Sequence, residues 1–581
     1  MKKWLTKGWP ALLSVLAGVA VFCFWRLFCP QLLNFHEQFQ LFLFDGGYLQ
    51  ERLAMPGGVA RYLGEFLVQL YNNFTLGALV LALLMLLLQW LTWRLLKTAD
   101  GTLGTAWYAL SFVPVFAVTY AMGDENLLLP YVVALLLTMA YMVCLPRSCR
   151  ARLAYAFVGL PLVYWACGPM VLMAAAWLFL VLTLQGGRRL LSVGLGALLL
   201  VEAVACVVLS AHLVPYPLER LCAGIVYYRS QTGLPPTMAA VPAVVVLLWL
   251  AVWWLGRRVR LSAAKAAVLT VVVAVAGAWV AVQGFDLRKL EVLDYDYMVR
   301  IRDWNGIVRK AEQGGTNVPM TVCATNLALA MQGQLGERAF HFYQRGTQGL
   351  MPGFERNPVT ILVPAEAYYL LGLVNTAQRF SFEAMEALPN YNKSGRCIKR
   401  LVETNLVNGQ YEVARKYLSM LEKTMFYRKW ALRTKELIGN EQAIGSHPEY
   451  GWLRQARLTN DFMFSETEID KICGQLFWHN QNNTMALQYL MLWPLLERDV
   501  NKFMSYAAAV ERRVKYNPAS SQEAIIYAYA QRGQKPPQGY VSEMVRRQFV
   551  DFGHVYNAGG QNSPQLEAFR NTLWYYLVKA K

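Results

Sequence analysis

The sequence predicts an all-α protein in two parts: a polytopic transmembrane bundle of about nine spans over residues 1–284, then an extracytoplasmic helical-repeat domain over residues 285–581. Three observations carry this. Apolar runs of about 20 residues recur through the first half, the length a helix needs to cross roughly 30 Å of hydrocarbon. The short gaps between them alternate between basic clusters and acidic loops. From about residue 285 the pattern becomes apolar and charged positions at helical spacing, broken by glycines at near-regular intervals.

The spans fall near 11–29, 76–96, 105–121, 127–145, 151–167, 169–186, 190–211, 238–256 and 266–284, with Cys167-Gly168-Pro169 dividing the fifth from the sixth. Basic gaps hold Lys2, Lys3 and Lys7, then Arg94 and Lys97, Arg147, Arg150 and Arg152, Arg188 and Arg189, and Arg257, Arg258, Arg260 and Lys265. The intervening gaps hold Glu37, Asp45, Glu51, Glu65, Asp124, Glu125 and Glu219. Lys and Arg near span ends are retained in the cytoplasm, so the chain starts inside and its C-terminal domain lies outside. That is the arrangement of a bacterial inner-membrane protein with a periplasmic tail. The start, MKKWLTKGWPALLSVLAGVAVFCFW, has the flank and apolar run of a signal peptide, but its small-residue triplet Gly18-Val19-Ala20 lies inside the run, which favours an uncleaved first span.

The first outside loop, 30–75, is far longer than a hairpin turn needs. Helical periodicity covers 35–54 and 59–72, with Met55-Pro56-Gly57-Gly58 as the break. In the second stretch Val59, Tyr62, Leu63, Phe66, Leu67, Leu70 and Tyr71 share one face while Arg61, Glu65 and Gln69 line the other, an amphipathic helix expected on the membrane surface or on the spans. A further outside loop, 212–237, mixes aromatics with Glu219, Arg220 and Arg229, and Gly123-Asp124-Glu125-Asn126 forms a short one. In the tail, Gly333, Gly372 and Gly409 are spaced by 39 and 37 residues, and Ala339, Ala384, Ala414 and Ala486 follow the turns.

The net charge of +18 divides into about +10 before residue 285 and about +8 after it, with no basic block in the tail. Inside-positive loops account for the first share, and the second is a dispersed surface able to lie against anionic headgroups, so nucleic acid is not a partner. Ten cysteines without a C-x-x-C pair indicate neither a disulfide framework nor a zinc site. No GxxxxGK[ST], HExxH or GxSxG is present, which removes the usual supports for nucleotide hydrolysis, zinc proteolysis and serine hydrolysis. Asp294 and Asp296 form a DxD just past the last span, where a solvated linker helix is the expectation. Glu202 lies inside the seventh span and marks a polar path or an interhelical hydrogen bond.

The acids of the outside loops suggest convergence at the outer mouth of the bundle, although soluble loops carry acids in any case. This layout resembles the polyprenyl-phosphate-dependent GT-C glycosyltransferases in its cytoplasmic N-terminus, long first outside loop of two amphipathic helices, acids in the first two outside loops and extracytoplasmic C-terminal domain. The resemblance implies sugar transfer from a lipid-phosphate donor, with Glu37 or Asp45 converging with Asp124 and Glu125, Glu37 as general base on the acceptor, and Asp124 and Glu125 contacting acceptor or metal. Arg52, Arg61, Arg220 and Arg229 would hold the phosphate. It leaves room for a divalent metal and requires no other cofactor. The tail resembles the tetratricopeptide family in its small residues at the turn and inside the second helix. The stretch NFHEQFQLFLFDGGYLQERLAMPGGVARYLGEFLVQLYNN, with PYPLERL and the repeat-like tail, is similar to an uncharacterised multi-pass Bacteroidota family, which implies architecture and location but no chemistry. The alternative function is a non-enzymatic membrane-anchored scaffold whose repeats recruit a periplasmic protein; a transporter ranks third.

Overall fold

Hydrocarbon offers a backbone no hydrogen-bonding partner, so an apolar run that crosses it must close its N–H and C=O groups within one helix. In the computed structural model, which describes residues 2–579 apart from 186–188, 224–235, 316, 356, 358, 389–391 and 460–463, every regular element is helical. The one β-type contact among the described residues is an isolated bridge between Arg345 and Thr347. The chain forms two units. The first comprises Met1–Leu290 together with Leu388–Arg396 and Ser419–Ala431; the second comprises Glu291–Ala387, Cys397–Leu418 and Leu432–Lys581.

The first unit runs α1 (Lys2–Cys23), α2 (Pro30–Gln38), α3 (Gly46–Leu53), α4 (Gly58–Val68), α5 (Phe74–Ala99), α6 (Val113–Ala121), α7 (Leu129–Val143), α8 (Cys149–Cys167), α9 (Val171–Gln185), α10 (Arg189–Ser210), α11 (Leu218–Ala223), α12 (Thr237–Leu255) and α13 (Ala263–Gln283). Six stretches are long and apolar enough to cross a membrane: Gly8–Phe28, Phe74–Ala99, Arg150–Gln185, Arg189–Ser210, Thr237–Leu255 and Ala263–Gln283. Large side chains on them, such as Leu190, Val201, Val268 and Trp279, stay exposed, as the sides of helices solvated by lipid do. The chain is thus membrane-associated through several apolar helices.

Two expected spans are shorter than the rest. Residues 105–121 form a 3-10 stretch, Thr105–Phe112, running into α6, and 127–145 gives the 15-residue α7, which Pro130 begins at its first turn. Between α8 and α9, Gly168 takes φ 65° and ψ −143°, a conformation that ends a helix, and both helices pack on each other and on α10. The 30–75 loop is helical as expected except at 39–45. There Leu41 N–H donates to the Lys393 carbonyl at 3.0 Å and Phe44 N–H to the Lys423 carbonyl at 2.8 Å, which takes donors a continuous helix would use internally. The expected break survives, with Gly57 at φ 76°.

Helix α4 packs on α3, α7 and α8, with Gly64 so close to Pro130 that a Cβ would lie 2.7 Å from its backbone. Its inward face carries Ala60, Gly64 and Val68 together with the charged Glu65. Glu65 and Gln69 are buried, whereas Leu63 is exposed and Tyr62, Phe66 and Leu67 are half-buried. The amphipathic pattern is real, but Glu65 is buried along with small and apolar residues because Arg52, Arg61 and Tyr48 partner its carboxylate.

In the second unit the tail folds into helical hairpins. Gly333, Gly372 and Gly409 sit at their turns with φ of 71°, 96° and 74°, a region closed to side chains with a Cβ except at a cost. Ala339, Ala384, Ala414 and Ala486 are buried, as small residues inside a hairpin must be. The first pair departs from the expectation, since its second arm stops after Leu335–Arg338 and a short 3-10 turn. There Asn326 Nδ2 donates to Gln344 Oε1 and to the Gly349 carbonyl, both at 2.9 Å, holding the following loop in place of a second helix. Arg400 is half-buried between Glu366 and Glu403 with its guanidinium 3.4 Å from the centre of the Tyr369 ring. Asp294 of the DxD lies on the helix Leu287–Ile301 and pairs with Lys310. No disulfide joins the described cysteines.

Candidate functional site

After α1 a π-helical turn, Phe24–Phe28, redirects the chain, and Pro30 starts α2 at its first turn, where its missing N–H costs nothing. Leu32 through Gln38 are all buried, so α2 hides both its apolar and its polar sides. A helix buried all round must satisfy its polar groups locally, and Asn34, His36, Glu37 and Gln38 each find something different.

Glu37 accepts from the Tyr427 hydroxyl at 3.1 and 3.4 Å. Gln38 accepts from Arg396 Nη1 at 3.2 Å and donates to Asn34 Oδ1. Tyr427 passes so close to Gly395 that a Cβ there would lie 2.5 Å from its ring, so the glycine is what lets the hydroxyl reach Glu37. His36 turns the other way. Its ring hydrogen-bonds to the backbone carbonyl of Glu125 with Asp124 nearby, and its Nε2 has no partner among the described residues. Burial pushes the imidazole down to about 4, against the smaller upward pull of Glu125 and Asp124, so the ring is neutral at pH 7.

Glu37, Gln40, Leu41, Phe42, Gln69 and residues 424–427 line a small cleft with room for about one water. Gln40 and Gln69 donate their amide N–H to the carbonyls of His36 (3.4 Å) and Phe66 (3.1 Å), which leaves both Oε1 atoms buried without a partner among the described residues. A single ordered water would serve them.

The polar face of α4 meets α3. Glu65 is 1% exposed and accepts from Arg52 Nε at 2.7 Å and Arg61 Nε at 2.9 Å, with the Tyr48 hydroxyl on the same carboxylate. Arg61 also donates to Asn392 Oδ1 at 2.8 Å. Burial alone would raise the Glu65 carboxyl, but Arg61 and Arg52 and the hydrogen bonds outweigh it and hold it below the usual range. Two of the arginines expected to hold phosphate are therefore already engaged.

The remaining candidates are placed as follows. Asp45, at the start of α3, is half-exposed and pairs with Lys423 at 3.0 Å, whose hydrogen bond lowers its carboxyl. Asp124 accepts from Asn126 N–H and Nδ2 at 2.9 and 3.0 Å and holds its own turn. Glu125 pairs with Lys289 at 2.8 Å. Arg220, on α11, is 9% exposed and its Nη1 is buried without a partner among the described residues. Arg229 lies outside the described residues. Glu202 is on α10, near Tyr141 and Cys206, with Oε2 buried and unpartnered among the described residues. The two loops meet through His36. Among the described residues no three His, Cys, Asp or Glu side chains cluster as a metal site.

Sequence reasoning did not single out His36, Tyr427 or Arg396. The pair His36-Glu37 soon after the first span was the available signal for His36. Nothing local marks Tyr427 or Arg396, which come from hundreds of residues away.

Fold and site together define an all-α protein of the membrane-associated kind, with a buried polar network in one long loop that tail segments complete. The chain belongs to DUF6057, a family of unknown function, whose model matches residues 6–580. No curated protein and no solved structure matches it.

Proposed function

We propose that the chain is a nine-span inner-membrane protein that works at its periplasmic face as a GT-C-like transferase, moving a sugar from a lipid-phosphate donor. The observation that carries this is the junction at His36, where the first and second loops come together around a buried, neutral imidazole whose Nε2 has no partner among the described residues. A neutral imidazole can accept a proton when charge develops beside it in the reaction, although burial lowers its affinity for one. In the reaction the acceptor hydroxyl would lose its proton to His36, or to the neighbouring Glu37, as its oxygen bonds to the sugar's anomeric carbon. The bond from that carbon to the lipid phosphate breaks in the same step. Arg220, whose Nη1 is buried without a partner among the described residues, would balance the leaving phosphate; Arg52 and Arg61 are assigned to structure, because Glu65 already holds them. Nine spans fit if the 3-10 stretch before α6 lengthens that segment toward about 30 Å at roughly 2 Å per residue. The turn at Gly168, with α8 and α9 packed on each other, supports separate crossings there. The tail's glycine turns and buried alanines support a tetratricopeptide-like reading.

The test is an envelope-glycan profile of a deletion strain complemented with His36→Gln, Glu37→Gln or Arg220→Gln, with membrane abundance measured alongside. The expected result is loss of one glycan with His36→Gln and Arg220→Gln at normal abundance. A wild-type profile from all three refutes the transferase.

One observation favours a scaffold instead: Leu388–Arg396 and Ser419–Ala431 are built into the same unit as the first loop, as in a fixed platform. In that case the three substitutions leave the phenotype intact, and changes on the exposed repeat surface abolish it.

A further inference from the structure

Residues 423–430, KTMFYRKW, alternate in a way that a buried loop would not. Thr424 and Tyr427 turn inward, with Tyr427 on Glu37, while Met425 and Phe426 stay 45% and 36% exposed. Lys423, Arg428 and Lys429 bracket the two apolar side chains and are exposed as well. This stretch belongs to the unit of apolar membrane-length helices, fixed there by the Phe44–Lys423 backbone bond and the Lys423–Asp45 pair.

The exposed apolar surface continues beyond the stretch. Phe44 is 50% exposed and edges onto Phe42 and Phe66, and Met425 and Phe426 line the same cleft as Phe42. Phe66 lies on the half-buried apolar face of α4, one turn after the exposed Leu63. At the start of α4, Val59 lines an apolar groove together with Leu137 of α7 and Val158, Leu162 and Val163 of α8. The patch is therefore continuous with helices of the bundle, so its natural solvent is the edge of the bilayer.

We infer that residues 423–430 form a membrane-surface anchor, with Met425 and Phe426 seated among lipid headgroups beside Phe44, and Arg428 and Lys429 facing anionic phosphates while Lys423 is held by Asp45. Two arguments select lipid as the occupant: continuity with the bundle's apolar surface, and a surplus of cations around an apolar tip, the pattern of interfacial segments. The anchor ties part of the tail to the bilayer whatever reaction the protein performs, and it does not rest on the transferase reading.

The test places p-benzoylphenylalanine at Phe426 in the full chain, reconstituted in nanodiscs of phosphatidylcholine alone or with about one-third phosphatidylglycerol. Irradiation and peptide mass spectrometry follow. The expected result is a lipid adduct at 426 that rises about fivefold or more with the anionic lipid, and that Arg428→Glu and Lys429→Glu together reduce. Hydrogen exchange of the unaltered chain serves as the second measurement, with amides 425–428 expected to exchange more slowly in the anionic discs. Absence of any lipid adduct at 426, an adduct to protein instead, or equal labelling and exchange in the two membranes overturns the inference.

Discussion

Replacing Glu65 by Gln keeps the volume of the side chain and removes the charge that two guanidinium groups share. Glu65 is 1% exposed, and its arginine partners are 6% and 13% exposed at the side chain, at 2.7 and 2.9 Å. Water therefore cannot take over the pairing, and stripping one partner from a buried ion pair costs about 3–5 kcal/mol. Arg52 retains a contact to Glu51 at 2.9 Å, but Glu51 is 67% exposed, and such a screened pair is worth about 0–1 kcal/mol. At about 2–4 °C per kcal/mol for a domain of 150–250 residues, and less for a larger unit, the apparent Tm should fall by on the order of 5–10 °C. The assay is thermal unfolding of the detergent-solubilised chain at one fixed scan rate, because membrane proteins unfold irreversibly. Adding Arg52→Met should recover part of the loss, since it removes one stranded cation along with its desolvation cost; a coupling of about 1 kcal/mol or more is expected. A Tm change under about 2 °C for Glu65→Gln, or strictly additive effects in the double variant, refutes a buried triad.

Three further outcomes follow from named contacts. Gly64→Ala should destabilise by about 1–3 kcal/mol, because the new Cβ meets the Pro130 backbone, whereas Gly46→Ala, with nothing within 4 Å, should be near neutral; equal effects in a melting assay refute the close packing of α4 on α7. His36 binds a proton less readily folded, at about 4, than at its ordinary value of 6.5, so its contribution is present above that value and is lost as pH falls toward 4. Wild type should lose on the order of 3 kcal/mol more than His36→Gln across that window, and parallel profiles count against a buried neutral ring. Glu523, raised by burial to about 8, has the opposite sign: its contribution is full below about 4.5 and is lost as pH rises through 8. Glu523→Gln keeps an acceptor for the Leu573 N–H, now 2.7 Å away, and should flatten the alkaline decline; a variant as pH-sensitive as wild type rules the assignment out.

Features set by neighbours along the chain are legible in the amino-acid order alone. Apolar runs become helices because the backbone must satisfy itself, the break at Met55–Gly58 stands because Gly57 takes positive φ, and Gly333, Gly372 and Gly409 mark turns for the same reason. Periodicity also shows that α4 has a polar and an apolar face. That Glu65 is buried is not legible, because that depends on Arg52, Tyr48 and Asn392, which arrive from other segments and make its burial favourable. Residues 39–45 leave the helical pattern because carbonyls of Lys393 and Lys423 take their N–H groups. Glu37 could be named from its place after the first span, yet its hydroxyl donor stands at residue 427 and Gln38's cation at 396, separations over which no local pattern carries information. Backbone hydrogen bonding and glycine's conformational freedom write the helices and their turns into the order of residues. Which charges neutralise one another emerges only in the fold, since the cost of burying an ion depends on partners that chain order does not reveal.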